Sequence, residues 1–79
     1  MRLDKYLKVS RLIKRRTVAN EACDAERVSV NGRPQRASYD VKVGDKIEIS
    51  MGSRTVAVEV LQVAEAVKKG DAAAMYKEI

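Results

Sequence analysis

The sequence predicts an α+β fold: two N-terminal helices packed on a small curved antiparallel sheet, with a short C-terminal helix. Three observations predict it. Apolar residues recur at helical spacing near the N-terminus, and the period changes to two at residue 28. Turn signals at Asn31-Gly32, Gly44-Asp45 and Met51-Gly52-Ser53 then divide the remaining chain. Grouped helices followed by grouped short strands describe α+β rather than alternating architecture. A chain of 79 residues forms one small domain. Residues 1–66 are expected to make its body and residues 67–79 a tail helix.

Taken in order, Leu3, Tyr6 and Leu7 fall at i, i+3 and i+4, an amphipathic helix over 2–8 whose outer face carries Lys5 and Lys8. Val9, Leu12 and Ile13 extend the apolar count, while Ser10-Arg11 signals a break or bend. A second helix is expected at about 17–25, with Val18, Ala22 and Ala25 on its apolar face and Ala19 and Cys23 beside it. These small side chains let another helix approach closely. Val28 and Val30 then alternate with Ser29 ahead of the Asn31-Gly32 turn, whose residues tolerate positive φ. Pro34 breaks any continuous central strand across 31–36. Ile47 and Ile49, then Val56, Val58 and Val60, alternate with polar or small residues and read as an antiparallel hairpin. Asp71 is placed to cap the tail helix, with Met75, Tyr76 and Ile79 as docking residues. Because the helices and hairpin hold most apolar positions, the core is expected to survive removal of residues 71–79.

Composition narrows the function. The absence of histidine excludes imidazole catalysis and histidine-liganded metals, and one cysteine excludes an internal disulfide or a CxxC zinc site. No cofactor and no metal are expected, and no carboxylate, hydroxyl or thiol has the spacing of an enzyme site. No run approaches the ~20 apolar residues of a membrane span, and the start lacks the apolar run of a secretory signal, so a cytoplasmic chain with no membrane contact is expected. The net charge of +5 is uneven: residues 1–36 hold ten bases and four acids, residues 37–79 six bases and seven acids. Positive charge concentrated at one end suits a polyanion, and nucleic acid is the expected ligand.

The opening Arg2-Leu3-Asp4-Lys5-Tyr6-Leu7, the Lys14-Arg15-Arg16 cluster before Thr17-Val18-Ala19, then Val28-Ser29-Val30-Asn31-Gly32 and Val43-Gly44-Asp45-Lys46-Ile47 occur in a characteristic order and spacing. Together they resemble the S-four RNA-binding domain, also called the alpha-L motif, over roughly residues 2–50. Within that family, the length and the tail Asp71-Ala72-Ala73-Ala74-Met75-Tyr76 are similar to the stand-alone RqcP-type members of bacterial ribosome quality control. The small heat-shock member of ribosome rescue begins similarly but carries a long basic C-terminal extension. A cytoplasmic, ribosome-associated monomer is expected, and the resemblance implies binding to large ribosomal subunits obstructed by peptidyl-tRNA. Its partners would be large-subunit rRNA, peptidyl-tRNA and RqcH, whose alanine tailing of stalled chains it would support. The alternative is another ribosome-associated S-four protein acting in subunit rescue or assembly. The resemblance carries RNA binding onto Arg2 and Arg16; Lys5, Arg11, Lys14 and Arg15 join them by position and charge.

The residues themselves favour structured RNA. Arginine grips phosphate oxygens with a planar fork, and four of the seven bases in residues 2–16 are arginine. Trp and Phe are absent and the tyrosines are scattered, whereas recognition of splayed single strands uses aromatic platforms. Tyr6 shares a face with Leu3 and Leu7 and reads as core. Asp4 reads chiefly as an acid favoured by the helix dipole, with orientation of Arg2 or Lys8 as the second reading. Cys23 reads as a packing residue, and Glu21, Asp24 and Glu26 as solvated or ion-paired surface. A DNA-binding helix-turn-helix is the other class considered, but a second helix carrying Val18, Ala19, Ala22, Cys23 and Ala25 is poor in base-reading side chains.

Overall fold

The computed structural model describes the backbone of residues 1–79 and every side chain except that of Lys69. Helices α1 (Leu3–Val9) and α2 (Arg16–Asp24) precede strands β1 (Val28–Val30), β2 (Arg33–Pro34), β3 (Lys46–Met51) and β4 (Arg54–Val60). A 3-10 helix over Lys69–Met75 and strand β5 (Tyr76–Glu78) end the chain.

Helix α1 buries Leu3, Tyr6 and Leu7 completely, as their spacing predicts. Its start is stitched to the loop after β2: Leu3 N–H donates to the Tyr39 carbonyl (2.8 Å) and Asp4 N–H to that of Ala37 (3.2 Å). Those bonds satisfy two N–H groups that a helix N-terminus leaves open. They also fix Arg2, which pairs with Asp40 as an isolated antiparallel bridge. The helix ends at Ser10, and Arg11 follows in the left-handed region at φ 63°, donating its N–H to the Lys8 carbonyl. Helix α2 ends in a Schellman motif with Glu26 at φ 59°, where Glu26 N–H reaches the Cys23 carbonyl and Arg27 N–H that of Ala22.

The inward face of α2 differs from the sequence expectation. Ala19 and Cys23 are buried and Ala22 is half-buried, while Val18 is 47% exposed and Ala25 is exposed. The stripe is rotated because α2 packs on α1 through its smallest side chains.

The sheet is antiparallel throughout, in the order β2-β1-β3-β4-β5. Asn31 (φ 53°) and Gly32 (φ 85°) form the two-residue turn between β1 and β2, with Val30 opposite Arg33. Positive φ at both central residues is the requirement of a type I′ hairpin turn. In β3 and β4, Ile47 faces Val58 and Ile49 faces Val56. Val28, Val30, Ile47, Ile49, Val58 and Val60 form the buried face and join Leu3, Tyr6 and Leu7 in one core. A polar tie fixes the loops beyond that sheet edge: Asp45 accepts from Asn31 Nδ2 (3.1 Å), the Tyr39 hydroxyl (3.1 Å) and Lys42 N–H (3.0 Å).

The short C-terminal helix is present in 3-10 form, but it does not end the chain. Tyr76–Glu78 instead add a fifth strand, with Val60 opposite Tyr76 and Val58 opposite Glu78. Met75 is fully buried, and its carbonyl accepts the Tyr6 hydroxyl at 2.8 Å. The chain end therefore closes over α1.

Candidate nucleic-acid interface

Both helices and the segment between them contribute cations to the candidate site. Arg2 stands just before α1, Lys5 lies on it and Arg11 follows it; Lys14 and Arg15 precede α2 and Arg16 begins it. Helix α2 thus starts with Lys14, Arg15 and Arg16 at its positive end, where cations oppose the helix dipole. Arg15 occupies the N-cap position without a side-chain capping bond, and the first turn contains no acid. Neither choice favours the helix locally.

Arg2 and Arg16 converge on Asp4. The Asp4 side chain is 3% exposed, whereas those of Arg2 and Arg16 are 50% and 48% exposed. Arg2 Nε donates to Asp4 Oδ1 at 3.1 Å and Arg16 Nε to Oδ2 at 3.2 Å. Asn20 Nδ2 (3.4 Å) and the Lys5 backbone N–H (2.8 Å) complete the set. Burial acts to raise the carboxyl pKa, but hydrogen bonds from Arg2, Arg16, Asn20 and the Lys5 backbone outweigh it and hold it below the usual aspartate value. The helix dipole is therefore not the main role of Asp4. It is a buried carboxylate joining α1 to α2 through two guanidinium groups, and of the two cations read from sequence, Arg2 is its partner while Lys8 is not.

The other cations divide into two sets. Lys5 forms an ion pair with Glu65. Among the described residues, no carboxylate lies within ion-pair distance of Arg11, Lys14 or Arg15. Arg11 and Lys14 line an open groove of about 520 Å³ with Lys8, Val9 and the segment 65–67. A second groove, of about 560 Å³, runs between α2 and the loop 34–38, where Arg36 joins Arg2 and Asn20. Two exposed arginines held by one acid, and a separate groove lined by Lys8, Arg11 and Lys14, suit the spaced phosphates of folded RNA.

Lys8, Asn20 and Arg36 extend the set read from sequence. Lys8 lies one turn from Asp4 and Asn20 one turn from Arg16, so helical spacing contained both. Arg36 sits in an irregular segment, and only the docking of that loop on α1 brings it to Arg2.

Cys23 borders the second groove but is 3% exposed. Burial, together with the charges of Asp4 and Asp24, pushes its thiol up to about 11, so it remains protonated at neutral pH and is a packing residue. Glu21, Asp24 and Glu26 are exposed, and no group of three potential metal ligands occurs among the described residues. No helix is long and apolar enough to cross a membrane.

A family model described as "S4 domain" matches residues 1–47. The chain is 54% identical to the RQC P-site tRNA stabilizing factor of Streptococcus pneumoniae, covering 100% of this chain and 90% of that one. It is 53% identical to the factor of the same name from Bacillus subtilis, covering 96% and 88%. Among solved structures, the trimeric Heat Shock Protein 15 of Vibrio cholerae superposes with a TM-score of 0.93 at 25% identity, covering all of this chain and 81% of that one. The solution structure of HP1423 gives a TM-score of 0.85 at 31% identity, covering 100% and 96%. The heat-shock protein shares the fold, but its sequence identity is less than half that of the Streptococcus pneumoniae and Bacillus subtilis stabilizing factors, which separates the two relationships. The chain belongs to the S4-domain family and, within it, to the family of RQC P-site tRNA stabilizing factors.

Proposed function

We propose that the protein binds large ribosomal subunits obstructed by peptidyl-tRNA, contacts rRNA and tRNA, and stabilises tRNA in the P site. In this role it supports RqcH-dependent alanine tailing of the stalled chain. The protein acts as a monomeric clamp in the cytoplasm, and peptide-bond chemistry belongs to the ribosome. The observation that carries this reading is the set of cations borne by α1, α2 and the segment between them, with Arg2 and Arg16 gathered on Asp4 and, among the described residues, no acidic partner for Arg11, Lys14 or Arg15. The names of full-length relatives at about half identity direct it to tRNA on the ribosome.

The test is co-sedimentation with obstructed large subunits, paired with a thermal melt. Lys14→Glu with Arg15→Glu is the informative variant, because both residues are exposed and neither holds a buried group. Subunit binding should weaken sharply and alanine tails should be lost, and the salt slope of the binding that remains should fall by about one per phosphate contact removed. Normal co-sedimentation by a folded variant would place the RNA surface elsewhere. Reversing Arg2 and Arg16 is a poorer test, since it would set two carboxylates against buried Asp4 and threaten the fold itself.

A further inference from the structure

We infer that Asp4 is a positioning residue for RNA: its buried carboxylate holds Arg2 and Arg16 by their Nε sides, so that their outer nitrogens act together on phosphate. This rests on the RNA-binding reading and adds a residue whose charge is opposite to that of the surface it serves.

The geometry separates the two edges of each guanidinium. Asp4 Oδ1 takes Arg2 Nε and the Lys5 N–H, while Oδ2 takes Arg16 Nε, Arg2 Nη2 (3.5 Å) and Asn20 Nδ2. Nη1 of Arg2 and both Nη atoms of Arg16 have no protein acceptor among the described residues. The acid is nearly inaccessible and the bases are half open, so the cations lie outermost. Two guanidinium groups without an anion between them would repel and sample many rotamers. The carboxylate removes both obstacles before RNA arrives, which lowers the ordering cost of binding. A guanidinium can serve two anions on two edges because its donors form a rigid planar fork; a lysine ammonium is a point charge without such edges.

Charge alone predicts the opposite sign. A carboxylate beside a phosphate site repels the ligand, so neutralising it should tighten binding. Positioning predicts that neutralisation weakens binding. A purely structural staple between α1 and α2 predicts that affinity follows the melting curve.

The experiment measures binding to transfer RNA and to isolated large-subunit rRNA at fixed salt, with a melt of every variant. Asp4→Asn should bind about tenfold more weakly at a temperature where it is folded, despite its extra positive charge. The loss should shrink below about twofold in a background of Arg2→Lys with Arg16→Lys, where there is no fork left to position. Arg16→Lys alone should keep a near-normal melt, because an ammonium still pairs with Asp4, yet lose affinity. Equal or tighter binding by Asp4→Asn, or a full loss persisting in the lysine background, overturns the inference. If Asp4→Asn does not fold, the lysine variants decide: a normal melt with reduced affinity supports the inference, and wild-type affinity overturns it. A wild-type protein that binds these RNAs but not obstructed subunits sinks the ribosomal reading and leaves the Asp4 comparison intact. One that binds no RNA sinks both.

Discussion

The helical end and the β3–β4 hairpin follow opposite local rules. In the hairpin, apolar residues alternate inward, every pair from Lys46–Glu59 to Met51–Arg54 is in register, and Gly52 takes the positive φ (62°) that its turn needs. At the helical end, Arg11 occupies a left-handed position where glycine is usual, Arg15 stands where a capping residue is usual, and Asp4 is buried as a charge. The end that satisfies local preference supplies Ile47, Ile49, Val58 and Val60 to a core whose largest side chains, Tyr6, Leu3 and Leu7, come from the helical end. The end that departs from it carries the arginines and lysines of the candidate site. Natural proteins tolerate such departures at functional sites, where the side chain matters more than the backbone preference it violates.

The largest effect would show how far the helical end depends on the chain terminus. Deleting residues 71–79 removes fully buried Met75, strand β5 and the acceptor of the Tyr6 hydroxyl. Losing a buried methionine costs about 2–5 kcal/mol, against a total stability on the order of 4–12 kcal/mol for a chain of this size. Cooperative melting should therefore disappear near room temperature. This reverses the sequence-based expectation that the core survives truncation, and a retained cooperative melt would restore it.

Arg15→Ser sharpens the comparison by repairing the start of α2. A capping hydroxyl contributes about 1 kcal/mol, and removing a cation from the helix N-terminus adds ~0.3–1 kcal/mol. The melting temperature should rise by roughly 4–8 °C per kcal/mol, while RNA affinity falls. Stabilisation without any loss of affinity would mean that Arg15 does not touch RNA.

A mirrored pair comes next. Arg11→Gly relieves a left-handed arginine and should gain about 1 kcal/mol, whereas Gly52→Ala imposes the same strain on the hairpin and should lose about as much. RNA affinity should drop for the first and stay unchanged for the second. Equal behaviour of the two in the RNA assay would remove the distinction between the ends.

The smallest effect at neutral pH is the protonation of Asp4. Its folded-state pKa lies below the ordinary value, so the folded protein binds fewer protons than the unfolded chain as pH falls. The stabilisation is fully present above the unfolded pKa of about 3.9 and is lost as pH drops through the lower folded value. Urea midpoints measured from pH 6 downward should fall less for a folded Asp4→Asn protein than for the wild type. Parallel curves would show that Asp4 is not held as a charged group.

Much of this architecture is legible in the residues alone. Leu3, Tyr6 and Leu7 mark α1 because a helix returns to the same face after three and four residues. Asn31-Gly32 marks a hairpin because few other pairs adopt two successive positive φ values, and alternation through Ile47, Ile49, Val56 and Val58 identifies the buried face of β3 and β4. The arginines and lysines of the candidate site cluster within residues 2–16, so the concentration of positive charge is also readable. Tertiary structure decided what depends on contacts distant in sequence. The face of α2 was ambiguous because Val18, Ala19, Ala22, Cys23 and Ala25 surround much of a short helix, and only packing against α1 selects Ala19 and Cys23. Strand β5 has three residues, too few to show a period, and exists because β4 offers it an edge. Asp4 meets Arg16 from twelve positions away, and no local pattern distinguishes a buried carboxylate between two guanidinium groups from an acid in a first helical turn. Periodicity records which face is apolar; it holds no information about which charged groups the folded chain will bring together.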